Sequence, residues 1–434
     1  MGRGRGGKVR YRFWVAVPMP GRHGRPHAAG VTTSTTTLTN RRRLTAIRAA
    51  ALFDGTDPHL LPNPTVVVDG STIVAVGSAL PAPEGARVVD LAGATLLPGL
   101  VDGHVHLVFD ASDDPVSALA GRDDAAAFAA MANFARAAAR GGVTTMRDLG
   151  DRGYLALGLR LAAASDPSLP EILTAGPPIT TPGGHCHFLG EEAAGVDAVR
   201  AAVRAHAERG VDVIKIMASG GNMTPGSRPE LPQYGPAELR AAVDEAHRHN
   251  LPITAHAHAT QAIVDGLAAG MDAFEHLTFM TADGVDPIPV EVLTALAHRD
   301  VTVGMTLGLA PVPGAAPPPG MVARAPALRA NARRLIEAGV NMIAGTDAGI
   351  APVKPPDVIR WAVPQFQQLG MTAAEALNAC TARAATALGL GHRKGRLRPG
   401  YDADILAVDG NPLSDPAALH AIRAVYIRGT AVPR

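Results

Sequence analysis

The sequence predicts an α/β protein, a (β/α)8 (TIM) barrel that carries a small β-sandwich domain built from both chain ends. The first observation is an alternation of eight short apolar segments with alanine-rich helical stretches over about 290 residues, the size of such a barrel. The second is that the apolar segments are almost uninterrupted, as expected of parallel strands covered on both faces. The third is that both chain ends contain short β-type segments, each too small to bury a core alone.

Eight segments predict the barrel strands, because each is short and apolar and ends in polar residues. They cover residues 100–106, 143–148, 171–175, 213–218, 253–258, 273–277, 301–307 and 341–347. The helical stretches between them include residues 123–140, 196–209, 236–249 and 372–388. In a barrel of this kind the active site lies at the carboxyl ends of the strands, where these segments place their polar residues.

The chain ends predict the second domain. Residues 65–68 and 72–76 are β-branched runs separated by Asp69-Gly70, a strong signal for a hairpin turn. Residues 403–408 and 424–427 are short apolar strands. The predicted domains are a β-sandwich from residues 44–97 plus 396–434 and a barrel from residues 98–395.

Residues 1–43 form a basic segment that lacks this pattern. They hold ten Arg or Lys residues and no acidic residue, whereas the rest of the chain has 30 basic and 39 acidic residues. Their mixture of Gly, Arg, Pro and Thr shows no helix or strand period, which predicts a disordered basic tail. Two explanations stay open, an arm that binds an acidic surface and a product of translation from an upstream start codon.

Composition limits the class of protein. Hydrophobic residues make up 47% and charged residues 18% of the 434 residues, which is typical of a soluble globular protein with a sizeable core. No apolar run reaches the roughly 18 residues that a membrane-spanning helix needs. The two cysteines, Cys186 and Cys380, are far apart in sequence, which argues against a disulfide framework and favours a cytoplasmic location.

Two histidines at the end of the first barrel strand are the first candidate metal ligands. His104 and His106 are two residues apart, so in a strand both side chains point to the same side, here the barrel interior. Imidazoles at this spacing can bind one metal ion. The pair alone is a weak signal in a chain with 16 histidines, and its position at a strand end strengthens it.

Lysine is rare in this chain, and Lys215 lies among apolar residues of a central strand. Only four of the 40 basic residues are lysine. A buried ammonium without a partner is costly, so either an inward carboxylate pairs with Lys215 or its amine has reacted with CO2. The resulting carbamate would bridge two metal ions, and arginine cannot form it. The use of lysine here favours the carbamate and a binuclear centre.

Further histidines and one aspartate complete the candidate ligands. His256 and His258 lie on the fifth strand with the same parity, so strand geometry cannot separate them. His276 ends the sixth strand and Asp347 ends the eighth, although Asp347 has the alternative role of a helix N-cap. Nitrogen and carboxylate ligands favour zinc. Two ions would hold a bridging hydroxide, whose proton Asp347 would accept and pass to the leaving nitrogen.

These motifs resemble the amidohydrolase superfamily, in particular its branch of imidazolonepropionase-like proteins, bacterial Xaa-Pro and Xaa-Arg/Lys dipeptidases and ochratoxin-hydrolysing amidases. The resemblance runs from about residue 44 to the end and includes residues 98–106, 214–216, 218–221, 255–258, 275–276, 345–349 and 395–404. The metal ligands that it implies are His104, His106, Lys215, His256, His276 and Asp347, with His256 preferred to His258. True imidazolonepropionases work with one metal and lack the bridging lysine, so Lys215 argues against that activity.

The resemblance also implies substrate contacts by His185 and Tyr234, and we expect His258 to lie beside the substrate. The proline-rich stretch 308–326 follows the seventh strand and predicts a lid on the active-site face. The candidates for a cation that binds a substrate carboxylate are Arg228, Arg324 and Lys354, and the sequence does not choose among them.

We therefore expect a metal-dependent hydrolase that cleaves an amide or peptide C–N bond of a dipeptide or an N-acyl amino acid, with Asp347 and His276 as catalytic residues. Hydrolysis of a cyclic amide, carbamate or thiocarbamate by the same site is the alternative, and a binding protein without activity is a third. The expected cofactors are two divalent metal ions, for which Zn²⁺ is the first candidate, and CO2 bound as a carbamate on Lys215. The expected partner is a small molecule rather than nucleic acid or a membrane, and the expected assembly is a homo-oligomer.

Overall fold

The computed structural model describes residues 44–315 and 319–433, and the predicted basic tail, residues 1–43, lies outside these ranges. The described residues form the strands β1 (Leu44–Leu52), β2 (Leu61–Pro62), β3 (Pro64–Asp69), β4 (Thr72–Ser78), β5 (Arg87–Pro98), β6 (Leu100–Val105), β7 (Val143–Asp148), β8 (Glu171–Thr174), β9 (Ile214–Met217), β10 (Ile253–Ala259), β11 (Ala273–Met280), β12 (Thr302–Met305), β13 (Asn341–Ala344), β14 (Ile405–Asp409), β15 (Ile422–Ile427) and β16 (Thr430–Ala431). They also form the helices α1 (Pro115–Ala120), α2 (Asp124–Arg140), α3 (Leu155–Ser165), α4 (Val196–Arg209), α5 (Pro236–Arg248), α6 (Thr260–Ala269), α7 (Val290–His298), α8 (Pro319–Glu337), α9 (Ile359–Leu369), α10 (Ala373–Ala379) and α11 (Ala382–Ala387).

The central strands, β6 to β13, follow the predicted alternation with helices. β6, β7 and β8 form one parallel sheet, and β9 to β13 form a second parallel sheet in chain order. Single bridges join the edges of the two sheets, from Ile179 to Ile216 and from Val105 to Ala348. Each predicted segment overlaps one of these strands, which confirms the α/β class and the strand order, although β10 and β11 extend beyond the predicted segments. The strands form two ladders joined by bridges rather than one continuous closed ladder.

The two chain ends share one sheet of eight strands. Its order is β16-β15-β14-β5-β1-β3-β4, with β2 paired to β1. β5 joins the ends, because it pairs in parallel with β1 and antiparallel with β14. The predicted hairpin turn lies between β3 and β4, where Gly70 has a left-handed φ of 59°. The ends combine as predicted, but they do so in a single sheet, so the two-sheet sandwich is not confirmed.

Two predicted elements differ in the structure. Helix α8 begins at Pro319, so Pro326 lies inside a helix and not in a loop. The neighbouring methionine, alanine, arginine and leucine residues are good helix formers and together outweigh this proline, which costs about 3 kcal/mol in a helix interior. The stretch 372–388 is two helices, because Thr381 adopts a non-helical backbone between α10 and α11.

Aliphatic side chains and alanine dominate the core between strands and helices, as the low aromatic content of 4% requires. Cys186 and Cys380 are both buried and free. In residues 44–315 and 319–433, no helix combines the length and apolar character needed to cross a bilayer.

Candidate metal centre

The carboxyl ends of the barrel strands surround a cavity of about 330 Å³ whose lining includes nine titratable side chains. Five of the six predicted metal ligands line this cavity. The sixth, His104, contacts two of them, His106 and Asp347. The six residues come from β6, β9, β10 and β11 and from the segments that follow β6 and β13. The fold therefore brings together residues that are up to 243 positions apart, from His104 to Asp347.

His104, His106 and Asp347 form the first group of candidate ligands. The Nε2 atoms of the two imidazoles are 3.2 Å apart, and they lie 3.4 and 3.2 Å from Oδ1 of Asp347. The carbonyl of Gly150 lies 3.2 Å from Nδ1 of His106. Because a carbonyl can only accept, Nδ1 is the donor in this contact, and in the neutral ring Nε2 has the lone pair that a metal ion needs. The group thus presents adjacent ligand atoms suited to one cation.

Asp347 is held in place by an uncommon backbone conformation. Its φ of 64° lies in the left-handed region that non-glycine residues seldom adopt. Its amide donates a 2.7 Å hydrogen bond to the carbonyl of His104. Burial alone would raise the pKa of Asp347, but the neighbouring His104 and His106 outweigh burial and hold this pKa well below its usual range. The carboxylate is therefore ionised at neutral pH, the form that binds a cation or accepts a proton.

Three buried histidines form the second group. The ring centroids of His256, His258 and His276 lie 4.5 to 4.6 Å apart, and one nitrogen of each ring lies within 4.8 Å of the others. A nitrogen of His276 also lies within 4.8 Å of ligand atoms of His104 and Asp347, so this residue links the two groups. Burial lowers the pKa of all three imidazoles, to about 4 for His258, which favours the neutral form that binds metals. This geometry does not separate His256 from His258 as the ligand.

The three lysines among the described residues are all buried, but their partners differ. Lys394 has three carboxylates within 3.2 Å of its Nζ, and Lys354 donates to two carbonyls. Lys215 is 1% exposed, and its Nζ has no hydrogen-bond partner within the described part of the chain. The alternative explanation for Lys215, a salt bridge to an inward carboxylate, is therefore not seen there. Burial lowers the pKa of its amine to about 8, which increases the neutral fraction that can react with CO2.

A buried ion pair behind His104 is a feature that the sequence analysis missed. Oε2 of Glu275 lies 3.1 Å from Nδ1 of His104, and Oε1 accepts a 2.9 Å hydrogen bond from Nη2 of Arg147. Burial alone would raise the pKa of Glu275, but the charge of Arg147 and the contact with His104 lower it to about 2. A carboxylate beside Nδ1 favours a proton on that nitrogen and leaves Nε2 of His104 as the ligand atom. No motif signals this contact, because Arg147 and Glu275 are 128 residues apart.

The predicted substrate contacts lie in different places. His185 and His258 line the cavity. Tyr234 lies outside that lining, because it is 3% exposed and its hydroxyl donates a 2.8 Å hydrogen bond to the carbonyl of Ala193. Its position does not support the predicted contact with substrate. The predicted lid segment does border the cavity, through Leu309 and through Met321 at the start of α8.

The three candidate cations also differ in position. Arg228 pairs with Glu230 at 2.6 Å, and 55% of its side chain is exposed. Arg324 donates to backbone carbonyls, including those of Thr281 and Gly284. Neither arginine is part of the cavity lining, whereas Lys354 is.

Comparisons with known proteins agree with this fold and site. The chain matches the amidohydrolase family over residues 95–432. Ochratoxinase from Aspergillus niger is 31% identical over 432 residues, which cover 89% of this chain and 85% of that protein. Imidazolonepropionase from Deinococcus deserti is 27% identical over 414 residues, which cover 86% of this chain and 92% of that protein. A solved Xaa-Pro dipeptidase with methionine bound in its active site has a TM-score of 0.78 at 26% identity, covering 89% of this chain and 99% of that one.

The cavity lies at the strand ends of a (β/α)8 barrel, the fold that the structural relatives share, which is where barrels of this kind have their active sites. The chain belongs to the amidohydrolase family, whose pattern covers most of its length. It is accordingly an enzyme that hydrolyses carbon–nitrogen bonds.

Proposed function

We propose that this enzyme hydrolyses the amide or peptide C–N bond of a dipeptide or an N-acyl amino acid, with two divalent metal ions in its cavity. The observation that carries the proposal is Lys215, a buried amine without a partner among the described residues, in the cavity that both histidine groups border. The residues that would hold the ions, with zinc the first candidate, are His104, His106, Lys215, His256, His276 and Asp347.

The donor set fits two such ions. Four imidazoles and one carboxylate are neutral or anionic ligands of the kind that zinc prefers. Carboxylation of Lys215 would convert its amine into a second anionic ligand and remove the cost of burying an ammonium there. When bound, the ions would polarise the scissile carbonyl and lower the pKa of the attacking water.

Asp347 is the residue that we propose moves the proton. Its carboxylate lines the cavity beside Nε2 of His104 and His106, where it could accept a proton from the attacking water and pass it to the leaving nitrogen. His276 is the second catalytic residue in this proposal, because it lies within reach of both ligand groups and lines the cavity.

The shape of the cavity supports a small substrate with an apolar group. A second cavity of about 170 Å³ adjoins the first, and the two share His276, Thr278, Thr306 and Leu328 in their linings. Leucine side chains make up much of its wall, so it offers room for an apolar side chain or acyl group. The similarity to ochratoxinase and to a Xaa-Pro dipeptidase favours the same kind of bond.

A substrate panel tests the proposal. Purified full-length protein is supplied with Zn²⁺, Mn²⁺ or Co²⁺ and assayed against dipeptides, N-acyl amino acids, lactams and carbamates. We expect kcat/KM of about 10⁴ M⁻¹s⁻¹ or more for at least one dipeptide or N-acyl amino acid, lost on chelation and restored by metal. If the protein hydrolyses lactams or carbamates but no dipeptide or N-acyl amino acid, the alternative reaction is supported and the proposed one is refuted. A metal-loaded protein that hydrolyses nothing in the panel contradicts both.

The ion pair behind His104 leads to a prediction about metal affinity. In Glu275→Gln the neutral amide no longer favours the proton on Nδ1 of His104, so metal affinity is expected to fall about 10- to 100-fold. Competition with a chelator, followed by metal analysis, measures this change. Glu245→Gln is the matched control, because Glu245 is also buried (3% exposed) but lies on α5 and pairs with Arg204 and Arg248. Equal loss of metal affinity in the two variants would mean that Glu275 has no specific role at His104.

A further inference from the structure

Lys354 is a buried cation at the cavity that the proposed mechanism does not use. It lies in the segment after β13, is 6% exposed, and lines the cavity together with Asp347. Its Nζ donates to the carbonyls of Thr306 and Thr346, at 2.9 and 2.7 Å. These carbonyls belong to the segments just beyond β12 and β13, so two strand ends hold the ammonium in position.

Lys354 has one more hydrogen-bond donor than these two partners use. An ammonium has three donors, and the described residues provide two acceptors, both neutral. Within residues 44–315 and 319–433, Lys354 forms no salt bridge, in contrast to Lys394 with its three carboxylates. Burial lowers the pKa of Lys354 only to about 8, so the ammonium form dominates at neutral pH. A buried cation with neutral partners is stabilised by an anion that arrives with the ligand.

The other basic side chains that line the cavity belong to the proposed metal centre or lie beside it. The rings of His185 and His258 lie 4.7 and 4.6 Å from that of His256. Asp347, and Lys215 once carboxylated, would be ligands of the metal ions. Lys354 is then a fixed positive charge in the cavity lining that lies outside the proposed metal centre.

We propose that Lys354 binds the carboxylate of the substrate and makes the enzyme select N-acyl amino acids and dipeptides with a free C-terminal carboxylate over their neutral analogues. This inference rests on the proposed amide hydrolysis and assigns the specificity of that site. The remaining donor of the ammonium would make a charge-assisted hydrogen bond to the carboxylate. A neutral analogue would leave the buried charge without a counter-ion, which is how polar sites reject such analogues.

A purely structural role for Lys354 is the competing explanation. The charges of two carboxylates act on Lys354, first that of Asp347 and then that of Asp102. Asp347 belongs to the proposed metal centre, whereas Asp102 is fully buried. Its carboxylate already accepts hydrogen bonds from the amide and hydroxyl of Thr346, at 2.9 and 2.6 Å, and from the amide of His104 at 3.3 Å. Lys354 contacts the carbonyl of Thr346 and not this carboxylate. A structural role would also affect neutral and anionic ligands alike.

Binding of a matched pair of non-hydrolysable probes separates the two explanations. The probes are 4-phenylbutyrate and its neutral counterpart 5-phenylpentan-2-one, measured by calorimetry on full-length, metal-loaded protein. We expect wild-type protein to bind the acid about 10-fold or more tightly than the ketone, the scale of one hydrogen bond to a charged group. In Lys354→Met this ratio is expected to fall to about one, with ketone affinity and metal content unchanged. Lys354→Arg is expected to retain part of the preference.

Two control variants and a separate activity assay complete the test. Arg228→Met and Arg324→Met remove the other candidate cations, and both are expected to keep the preference for the acid. The inference is overturned if wild-type protein shows no preference, if Lys354→Met keeps it, or if Lys354→Met weakens acid and ketone equally. Failure of the substrate panel would refute the proposed hydrolysis, whereas these binding ratios report on Lys354 alone.

Discussion

Replacing Lys215 by methionine is expected to lower kcat/KM by about 10³-fold, the scale on which active-site electrostatic and metal interactions contribute. The same change is expected to reduce the metal content from two ions per chain to one or fewer. Methionine fills the buried space of a side chain that is 1% exposed, but it offers no amine to carboxylate. Steady-state kinetics and metal analysis of one preparation measure both effects.

The control for this variant is Lys354→Met, which removes another buried lysine of the same cavity. It is expected to keep two metal ions per chain, because Lys354 is not among the proposed ligands. The proposed carboxylation of Lys215 also predicts that activity depends on CO2. Metal-free wild-type protein reloaded in CO2-depleted buffer should regain activity only when bicarbonate is added. Full activity and two bound ions in Lys215→Met would contradict a bridging role for this residue.

Asp347→Asn is expected to lower kcat by about 10² to 10⁴-fold, the contribution of a positioned general acid or base. The amide keeps the size of the carboxylate and one oxygen but cannot accept the proton. Most of the bound metal should remain, since the proposed centre keeps its histidines and Lys215. The expected signature is therefore a large loss of kcat with a modest loss of metal, measured on the best substrate of the panel.

Asp272→Asn is the matched control for Asp347→Asn. Asp272 lies at the opposite end of β11, where it pairs with His247 and accepts a 2.9 Å hydrogen bond from the amide of Ile253. An asparagine can keep that hydrogen bond, so activity should stay within about twofold, as for most substitutions away from a site. If Asp347→Asn retains wild-type kcat with its metal in place, proton transfer by Asp347 is excluded.

The positions of the candidate ligands were predictable because they depend on local rules. Alternation along a strand places His104 and His106 on one face, and the carboxyl end of a barrel strand explains why Asp347 lies near them. The scarcity of lysine in the sequence singles out Lys215, and its Nζ lacks a hydrogen-bond partner among the described residues.

Contacts across the barrel were not predictable by such rules. The pairing of Glu275 with Arg147 and His104 depends on how β6, β7 and β11 face one another inside the barrel. The burial of Tyr234 depends on a loop carbonyl that no motif marks. The choice between His256 and His258 stays a prediction, since both rings lie beside His276.

Determination of the metal-to-chain ratio of the protein, purified without chelators, tests the central claim most directly. The binuclear centre predicts two divalent ions per chain, and it predicts that the second ion is lost in Lys215→Met. A ratio of one in wild-type protein, unchanged by removal of the Lys215 amine, would contradict the two-metal account.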